Sequence, residues 1–181
     1  MEEAMTKLTW KMSERLKIDY LLPAIEARLV GRVTSLPMSL VMPDVAFQYR
    51  EDFLRVCETA PLPELKKTRY WRSRRKIGNG VVYIEKRVRS YIKLLKSVRR
   101  KGIVVDPARP RTYPIVFAHE DMYQRMDGAH RVSVYRYLGH PSVDVWLVTA
   151  GEVLAKLDLP SDLKTILEAG IRPCIYAHER V

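Results

Sequence analysis

The chain has 181 residues, of which 47% are apolar and 29% are charged. This composition is typical of a folded globular protein and excludes a mostly disordered chain. Prolines or charges interrupt the longest apolar stretches before the roughly 20 residues that a membrane span needs, and the start Met1-Glu2-Glu3 is acidic. Two cysteines, Cys57 and Cys174, are too few for a zinc site. We therefore expect a cytoplasmic protein with no membrane partner.

The positive charge of the chain is concentrated in one segment. The net charge is +11, and residues 61–112 hold 17 Lys and Arg against 3 Asp and Glu, a net +14. Residues 1–60 and 113–181 are close to neutral, with net charges of −1 and −2. Clustered positive charge is typical of proteins that bind polyanions, so we expect nucleic acid as a partner of residues 61–112. The alternative is a solvated basic face.

Residues 1–60 are predicted to form a helical N-terminal extension. Apolar residues recur there at steps of three and four, the period of an amphipathic helix. They are Met5, Leu8, Met12 and Leu16. A second helix is predicted between Pro23 and Gly31, and a third around Glu51 to Cys57. Prolines around residue 60 indicate a domain boundary.

Residues 61–150 are predicted to form an α+β domain, followed by a helical tail over residues 151–181. The domain begins with a basic helix that ends at Gly102, because glycine favours the left-handed conformation of a helix C-terminus. One face of this helix is apolar. It consists of Val88, Ile92, Leu95 and Val98.

The remaining elements of the domain alternate between strands and helices. Two apolar runs, Tyr113–Ala118 and Met122–Met126, are predicted to be closely linked strands or a β-hairpin. A helix closed by Gly139 follows, and Val143–Val148 is predicted to be another strand. The expected order is helix, strand, strand, helix, strand.

The turn between the second strand and the next helix is the chemical centre of the sequence. Its residues are Asp127, Gly128, Ala129, His130 and Arg131. Glycine lets the backbone approach a ligand, a helix start offers N–H groups, and His130 and Arg131 add donors for phosphate oxygens. We expect a phosphate site in which Asp127 is a general base or a metal ligand. The alternative is that Asp127 only caps the helix and that His130 and Arg131 are exposed first-turn residues.

This motif and its surroundings resemble the ParB/sulfiredoxin superfamily. The resemblance covers residues 83–148, from the basic helix to the strand that begins at Val143, and it extends further if Leu62–Tyr70 is the first strand. It implies a small mixed sheet with flanking helices. In that superfamily the turn that corresponds to residues 127–131 binds nucleotide phosphates, and members include chromosome-partition proteins, sulfiredoxins and free-serine kinases.

Departures from each branch narrow what the resemblance implies. Sulfiredoxins need a cysteine where this chain has Ala129, and partition proteins continue into further DNA-binding and dimerisation modules after the position of Val148. The kinase-like branch reads Asp-Gly-His-His-Arg, so this chain keeps its Asp, second His and Arg. Those kinases also use a carboxylate ahead of the first domain helix. Glu85 is the nearest candidate, or else an ordinary charge near a helix N-terminus.

The resemblance and the basic segment together therefore lead us to expect a phosphotransferase or nucleotide hydrolase that uses ATP or CTP with Mg²⁺ and acts on or beside DNA. The catalytic residues would be Asp127 and Glu85, with Asp127 also holding the metal. The alternative is a non-enzymatic DNA-binding or adaptor module that uses the same phosphate pocket. The sequence also leaves open a second copy of this chain as a partner, in a homo-oligomer.

A second basic run interleaves aromatic residues with cations. This pattern suits stacking on bases combined with phosphate contacts. The candidate nucleic-acid-binding residues are Arg69, Trp71, Arg72, Arg74, Arg75 and Lys76. Alternatively, Tyr70 and Trp71 anchor a strand in the core. The nearby Gly78-Asn79-Gly80 lacks the Gly-Lys-Ser/Thr ending of a Walker loop and is predicted to be a turn.

Overall fold

The computed structural model describes residue 12 and residues 14–76, 78–119 and 122–168. Within this part of the chain there are nine α-helices and one four-stranded sheet, so the predicted α+β class is confirmed. Most of the first predicted helix, including Met5 and Leu8, lies outside the described residues. None of the helices in the described part is long and apolar enough to cross a bilayer.

The helices are numbered in chain order and have these bounds: α1 Leu22–Glu26, α2 Met38–Val41, α3 Asp44–Val56, α4 Leu62–Leu65, α5 Arg69–Lys76, α6 Val81–Lys101, α7 Ala129–Tyr137, α8 Ala150–Lys156 and α9 Ser161–Glu168. The strands are β1 Arg32–Pro37, β2 Ile115–His119, β3 Met122–Asp127 and β4 Ser142–Thr149. A π-helix, Leu16–Leu21, precedes α1, and a 3₁₀-helix, Pro110–Thr112, precedes β2.

The described residues divide into two compact units. The first unit takes its residues from 1–36, 105–128 and 144–181, and the second from 37–104 and 129–143. The chain therefore passes four times from one unit to the other.

The sheet has the strand order β1-β4-β2-β3. β2 pairs antiparallel with β3, which confirms the predicted hairpin, and parallel with β4. The residues of β2 from Ile115 to Ala118 are all buried, so both faces of the sheet are covered at this central strand. The core of the first unit lies around this strand and includes Phe117, Trp146 and Val148.

The second unit is helical around an aromatic centre that is formed by Phe53, Tyr70 and Tyr91. Its longest helix, α6, confirms the predicted basic helix. Gly102 ends it with a φ of 73° and donates its N–H to the Val98 carbonyl at 2.8 Å. The face of α6 that is buried comprises Ile84, Val88, Tyr91, Leu95 and Val98. Helices α3 and α6 both pack against α7, and α5 packs against α3 and α6.

Two segments differ from the sequence-based expectation. β1 lies within residues 1–60, which were expected to be helical. Only Leu36 of this strand is buried, so its sequence lacks the alternation of apolar and polar residues that would predict a strand. Leu62–Tyr70 is not a strand, since α4 and the start of α5 occupy it. The start of α5 is capped from afar, because the Asp52 carboxylate accepts the N–H of Arg69 at 2.7 Å.

Candidate phosphate-binding site

The turn at residues 127–131 joins β3 to α7. Gly128 has a φ of 84°, which lies in the left-handed region that favours glycine. Its N–H donates to Oδ1 of Asp127 at 2.6 Å. The carboxylate therefore holds the backbone of the turn just before Ala129 begins the helix.

A β-bulge precedes this turn. Ile115 of β2 lies opposite Asp127 while the next residue, Val116, lies opposite Arg125, so Met126 is an extra residue in β3. Met126 is fully buried. Because one inserted residue exchanges the two faces of a strand, the bulge decides on which face of β3 Asp127 emerges.

The imidazole of His130, in the first turn of α7, is held by side chains of two other helices. Its Nε2 lies 2.8 Å from the hydroxyl of Tyr70 in α5, and its ring centroid lies 4.5 Å from that of Tyr91 in α6. Both tyrosines belong to the buried aromatic centre of the second unit, where Phe53 stacks on Tyr91. The orientation of the His130 ring is therefore fixed before any ligand binds.

The two tyrosine hydroxyls keep their protons at neutral pH. Burial raises the pKa of Tyr70 above its ordinary value, although the nearby guanidinium groups of Arg74 and Arg50 oppose this. Burial also raises the pKa of Tyr91. A protonated Tyr70 hydroxyl is able to donate to Nε2, and a neutral His130 then carries its own proton on Nδ1.

A second polar connection ties the first turn of α7 to α6. Ser133 donates its hydroxyl to the backbone carbonyl of His130 at 3.0 Å. The Tyr91 hydroxyl is in turn hydrogen-bonded to Oγ of Ser133. Ser133 is completely buried. The backbone and the ring of His130 are thus both attached to neighbouring helices.

Arginines add positive charge around the aromatic centre. The Arg74 guanidinium lies 5.5 Å from the centroid of the Tyr70 ring. Arg50 is only 1% exposed and its charge acts on both Tyr70 and Tyr91. Arg131 follows His130 in α7 and is half-buried. All three arginines belong to the unit that contains α7, and the positive end of that helix itself favours an anion.

The other carboxylate suggested by the sequence, Glu85, is not brought to this cluster. It lies in the first turns of α6 and is half-buried. At 100° per residue, it is turned by about 120° from Tyr91 around the helix axis. The position of Glu85 favours an ordinary charge near a helix N-terminus.

Magnesium fits the turn only through Asp127. No group of three or more His, Cys, Asp or Glu side chains that could hold a metal ion occurs among the described residues. Mg²⁺ at phosphate sites is commonly held by one or two carboxylates together with phosphate oxygens, so a single carboxylate is compatible with it. Asp127 is the residue of the turn that would hold the ion.

The basic run of α5 is divided between two environments. Arg69, Arg72, Arg75 and Lys76 are exposed. Trp71 is 4% exposed, so its ring offers no surface on which a base could stack. Tyr70 is also buried, and Arg74 is half-buried over it. The two aromatics therefore anchor the core, as one reading of the sequence expected, but from a helix instead of a strand.

Sequence reasoning missed Arg50, Tyr91 and Ser133. The spacing of Ile84, Val88 and Tyr91 by four and three residues does predict that Tyr91 is buried. No sequence signal connects it with residues of α7 about forty positions later.

A separate cavity of about 340 Å³ lies in the first unit. Its lining includes His119 and Glu168 and is otherwise made of small or apolar residues and Thr149. No Lys or Arg lines it. This cavity is therefore less suited to a nucleotide phosphate than the start of α7.

Comparisons of the chain with protein-family models, with curated proteins and with solved structures found no match. The likeness to the ParB/sulfiredoxin superfamily consequently rests on the motif residues and on the order of the elements around them.

Proposed function

We propose that the protein binds a nucleotide through its phosphates at residues 127–131 and transfers or hydrolyses the terminal phosphoryl group. The observation that carries the proposal is the glycine turn into α7, in which Gly128 has a φ of 84° and the His130 ring is already fixed by Tyr70. A fixed donor at a helix start costs little ordering when the anion binds.

Each residue of the turn has a role in this proposal. The N–H groups at the start of α7 donate hydrogen bonds to phosphate oxygens, and Arg131 and His130 donate further hydrogen bonds to the phosphates. Asp127 accepts the proton of the attacking hydroxyl or water, or holds Mg²⁺, which when bound neutralises phosphate charge. Glu85 stays a candidate from the resemblance alone.

The proposed phosphoryl transfer needs only the nucleotide and an acceptor. The oxygen of the acceptor, an alcohol or water, forms a bond to the terminal phosphorus, and the bond from that phosphorus to the bridging oxygen breaks. The nucleoside diphosphate leaves with the bonding electron pair, and the proton of the acceptor passes to Asp127.

A nucleotide screen tests the proposal. Calorimetric titrations with ATP, CTP, GTP and UTP, each with and without Mg²⁺, measure binding, and phosphorus NMR of the same mixtures detects turnover. We expect ATP or CTP to bind and to be consumed. Absence of binding by all four nucleotides, with Mg²⁺ and with DNA added, would overturn the proposal.

A non-enzymatic DNA-binding or adaptor module is the second candidate function. It is favoured by the distribution of charge between the two units. The sequence segments of the second unit hold 19 Lys and Arg against 6 Asp and Glu, a net +13, whereas those of the first hold 13 against 15, a net −2. Nucleotide binding without any turnover, in the presence and absence of duplex DNA, supports this candidate over the enzyme.

A further inference from the structure

The solvent face of α6 carries five cations in one line. Starting from Lys86 they follow at steps of three, four, three and four residues, and all five side chains are exposed. We call this set the basic stripe. It consists of Lys86, Arg89, Lys93, Lys96 and Arg100.

The basic stripe lies opposite the buried face of the helix. At 100° per residue its five members fall within an arc of about 80°, and the centre of that arc is about 160° from the centre of the buried face. From Lys86 to Arg100 the stripe is about 21 Å long at 1.5 Å per residue. It is therefore a straight row of charges that points into solvent.

Two cations beside the stripe, Arg87 and Arg99, contact other side chains, whereas the stripe residues form no ion pair with any described residue. Arg99 forms an ion pair with Glu58, and the Arg87 guanidinium lies 5.2 Å from the centroid of the Tyr83 ring. None of the five stripe residues has an ion-pair partner within the described part of the chain. Like charges three and four residues apart repel each other and destabilise a helix. A bound anion would remove this repulsion.

We propose that the basic stripe is a docking surface for the phosphate backbone of nucleic acid. A duplex presents one negative charge about every 1.7 Å of its axis with both strands counted, so a row of about 21 Å is long enough to reach several phosphates at once. The contacts are to phosphates, which position a protein without reading sequence.

A membrane surface is a poorer fit to the same row of charges. Helices that lie in a membrane interface insert an apolar face beside their cations. In α6 the apolar face is already buried within the second unit, where Ile84 and Leu95 are fully inaccessible. The exposed large apolar side chains of α6 are Val81, Val82 and Tyr83, which lie in one turn before the stripe begins, so the stripe from Lys86 to Arg100 meets its partner through charge.

The inference does not depend on turnover at residues 127–131. It also distinguishes α6 from α5, whose exposed Arg69, Arg72 and Lys76 follow at steps of three and four residues but span only about 10.5 Å at 1.5 Å per residue.

Fluorescence anisotropy with the full chain tests the docking surface. The probes are a labelled 20-base-pair duplex and a single strand of the same length, each titrated over a range of salt concentrations. The stripe variant is Arg89→Gln, Lys93→Gln, Lys96→Gln. The control variant, Arg87→Gln, Arg99→Gln, Lys101→Gln, removes the same charge from other faces of the same helix, and circular dichroism melting compares the folding of both.

We expect the stripe variant to bind duplex at least tenfold more weakly at 100 mM salt. The slope of the logarithm of the association constant against the logarithm of salt should become shallower by about 2.7 units, that is about 0.9 for each lost phosphate contact. The control variant should keep a slope close to that of the wild-type protein. If single strand shows the larger difference between the variants, single-stranded nucleic acid is the source of the phosphates.

Equal losses in the two variants would overturn the inference, because the total charge and not the stripe would then bind. Absence of salt-dependent binding to either probe would also overturn it and would favour an acidic protein as the partner. Calorimetry with ATP and CTP distinguishes a failure of the docking surface from a failure of the proposed function. The stripe variant should bind these nucleotides as tightly as the wild-type protein does. The wild-type protein should bind duplex even if it binds no nucleotide.

Discussion

The hydroxyl of Tyr70 lies 2.8 Å from Nε2 of His130, although sixty positions of sequence separate the two residues. The contact makes the ring orientation of a motif histidine depend on a helix outside the motif. Tyr70 also packs against Phe53 and Tyr91, with ring centroids 4.9 and 5.5 Å away. The aromatic centre of the second unit therefore supports the candidate site.

Tyr70→Phe should weaken nucleotide binding while leaving the aromatic packing in place. The ring contacts persist and only the hydrogen bond to His130 is lost, so we expect an affinity loss of about 1 kcal/mol, or about fivefold. Calorimetry measures it. Tyr113→Phe is the matched control, because it removes the hydroxyl of a buried tyrosine that belongs to the first unit. Equal effects of the two changes on affinity would contradict a positioning role for Tyr70.

Arg131→Ala should weaken nucleotide or phosphate binding by about 1.5–3 kcal/mol, the range for a hydrogen bond to a charged group. Calorimetry with the nucleotide that binds best measures the loss. Lys156→Ala, which removes an exposed cation of the first unit, serves as the control and should change the affinity little. Unchanged affinity in Arg131→Ala would remove this residue from the site.

Asp127→Asn should abolish turnover and keep most of the nucleotide affinity, because a general base acts mainly in the transition state. The amide oxygen of asparagine can still accept the N–H of Gly128, so the turn is expected to keep its shape. Asp144→Asn removes an exposed carboxylate from β4 and controls for the change of charge. Turnover by Asp127→Asn as fast as that of the wild-type protein would reject Asp127 as the general base.

Cys57 should react slowly with iodoacetamide until the protein unfolds. Burial raises the pKa of its thiol to about 11, with a smaller contribution from Glu58. At pH 8 only about 0.1% of this thiol is then ionised in the folded protein. Since unfolding restores the lower pKa, the thiol should also make the protein less stable as the pH rises from about 9 to 11.

Peptide mapping after alkylation separates Cys57 from Cys174, and urea unfolding of the protein and of Cys57→Ala at pH 8 and 10.5 measures the linkage. A stability difference between the two proteins that does not change with pH would contradict the raised pKa.

Gly31→Ala should destabilise the protein by about 2 kcal/mol or more. Gly31 has a φ of 87°, and a Cβ there would overlap the indole ring of Trp146. Gly151 provides the matched control, because it lies in α8 with open space around it, so Gly151→Ala should stabilise by about 0.4–1 kcal/mol. Urea unfolding measures the stability of both variants. A Gly31→Ala variant as stable as the wild-type protein would contradict the predicted clash with Trp146.

The elements that could be predicted from the sequence are those whose ends are marked by local sequence signals. The hairpin of β2 and β3, the helix α6 that ends at Gly102, and α7 after Gly128 each combine a clear period with a glycine or a short turn. β1 has a single buried residue and no clear period. The linear division of the chain near residues 60 and 150 stays a prediction.

The contacts that shape the candidate site depend on distant parts of the chain. The cap that Asp52 gives to Arg69 joins residues seventeen positions apart, and the bond from Tyr70 to His130 joins two helices. Local patterns give the motif and its turn. They do not give the side chains that hold His130 in place, because such pairs form only when the helices pack.

The discontinuous second unit has a consequence for the order in which the chain folds during synthesis. Residues 37–104 emerge first, and α7, against which α3 and α6 pack, follows only after residues 105–128. At 5–20 residues per second, these roughly 25 intervening residues take about 1–5 s to synthesise. Tyr70 and Tyr91 are therefore synthesised seconds before His130, the residue whose ring they contact in the folded protein.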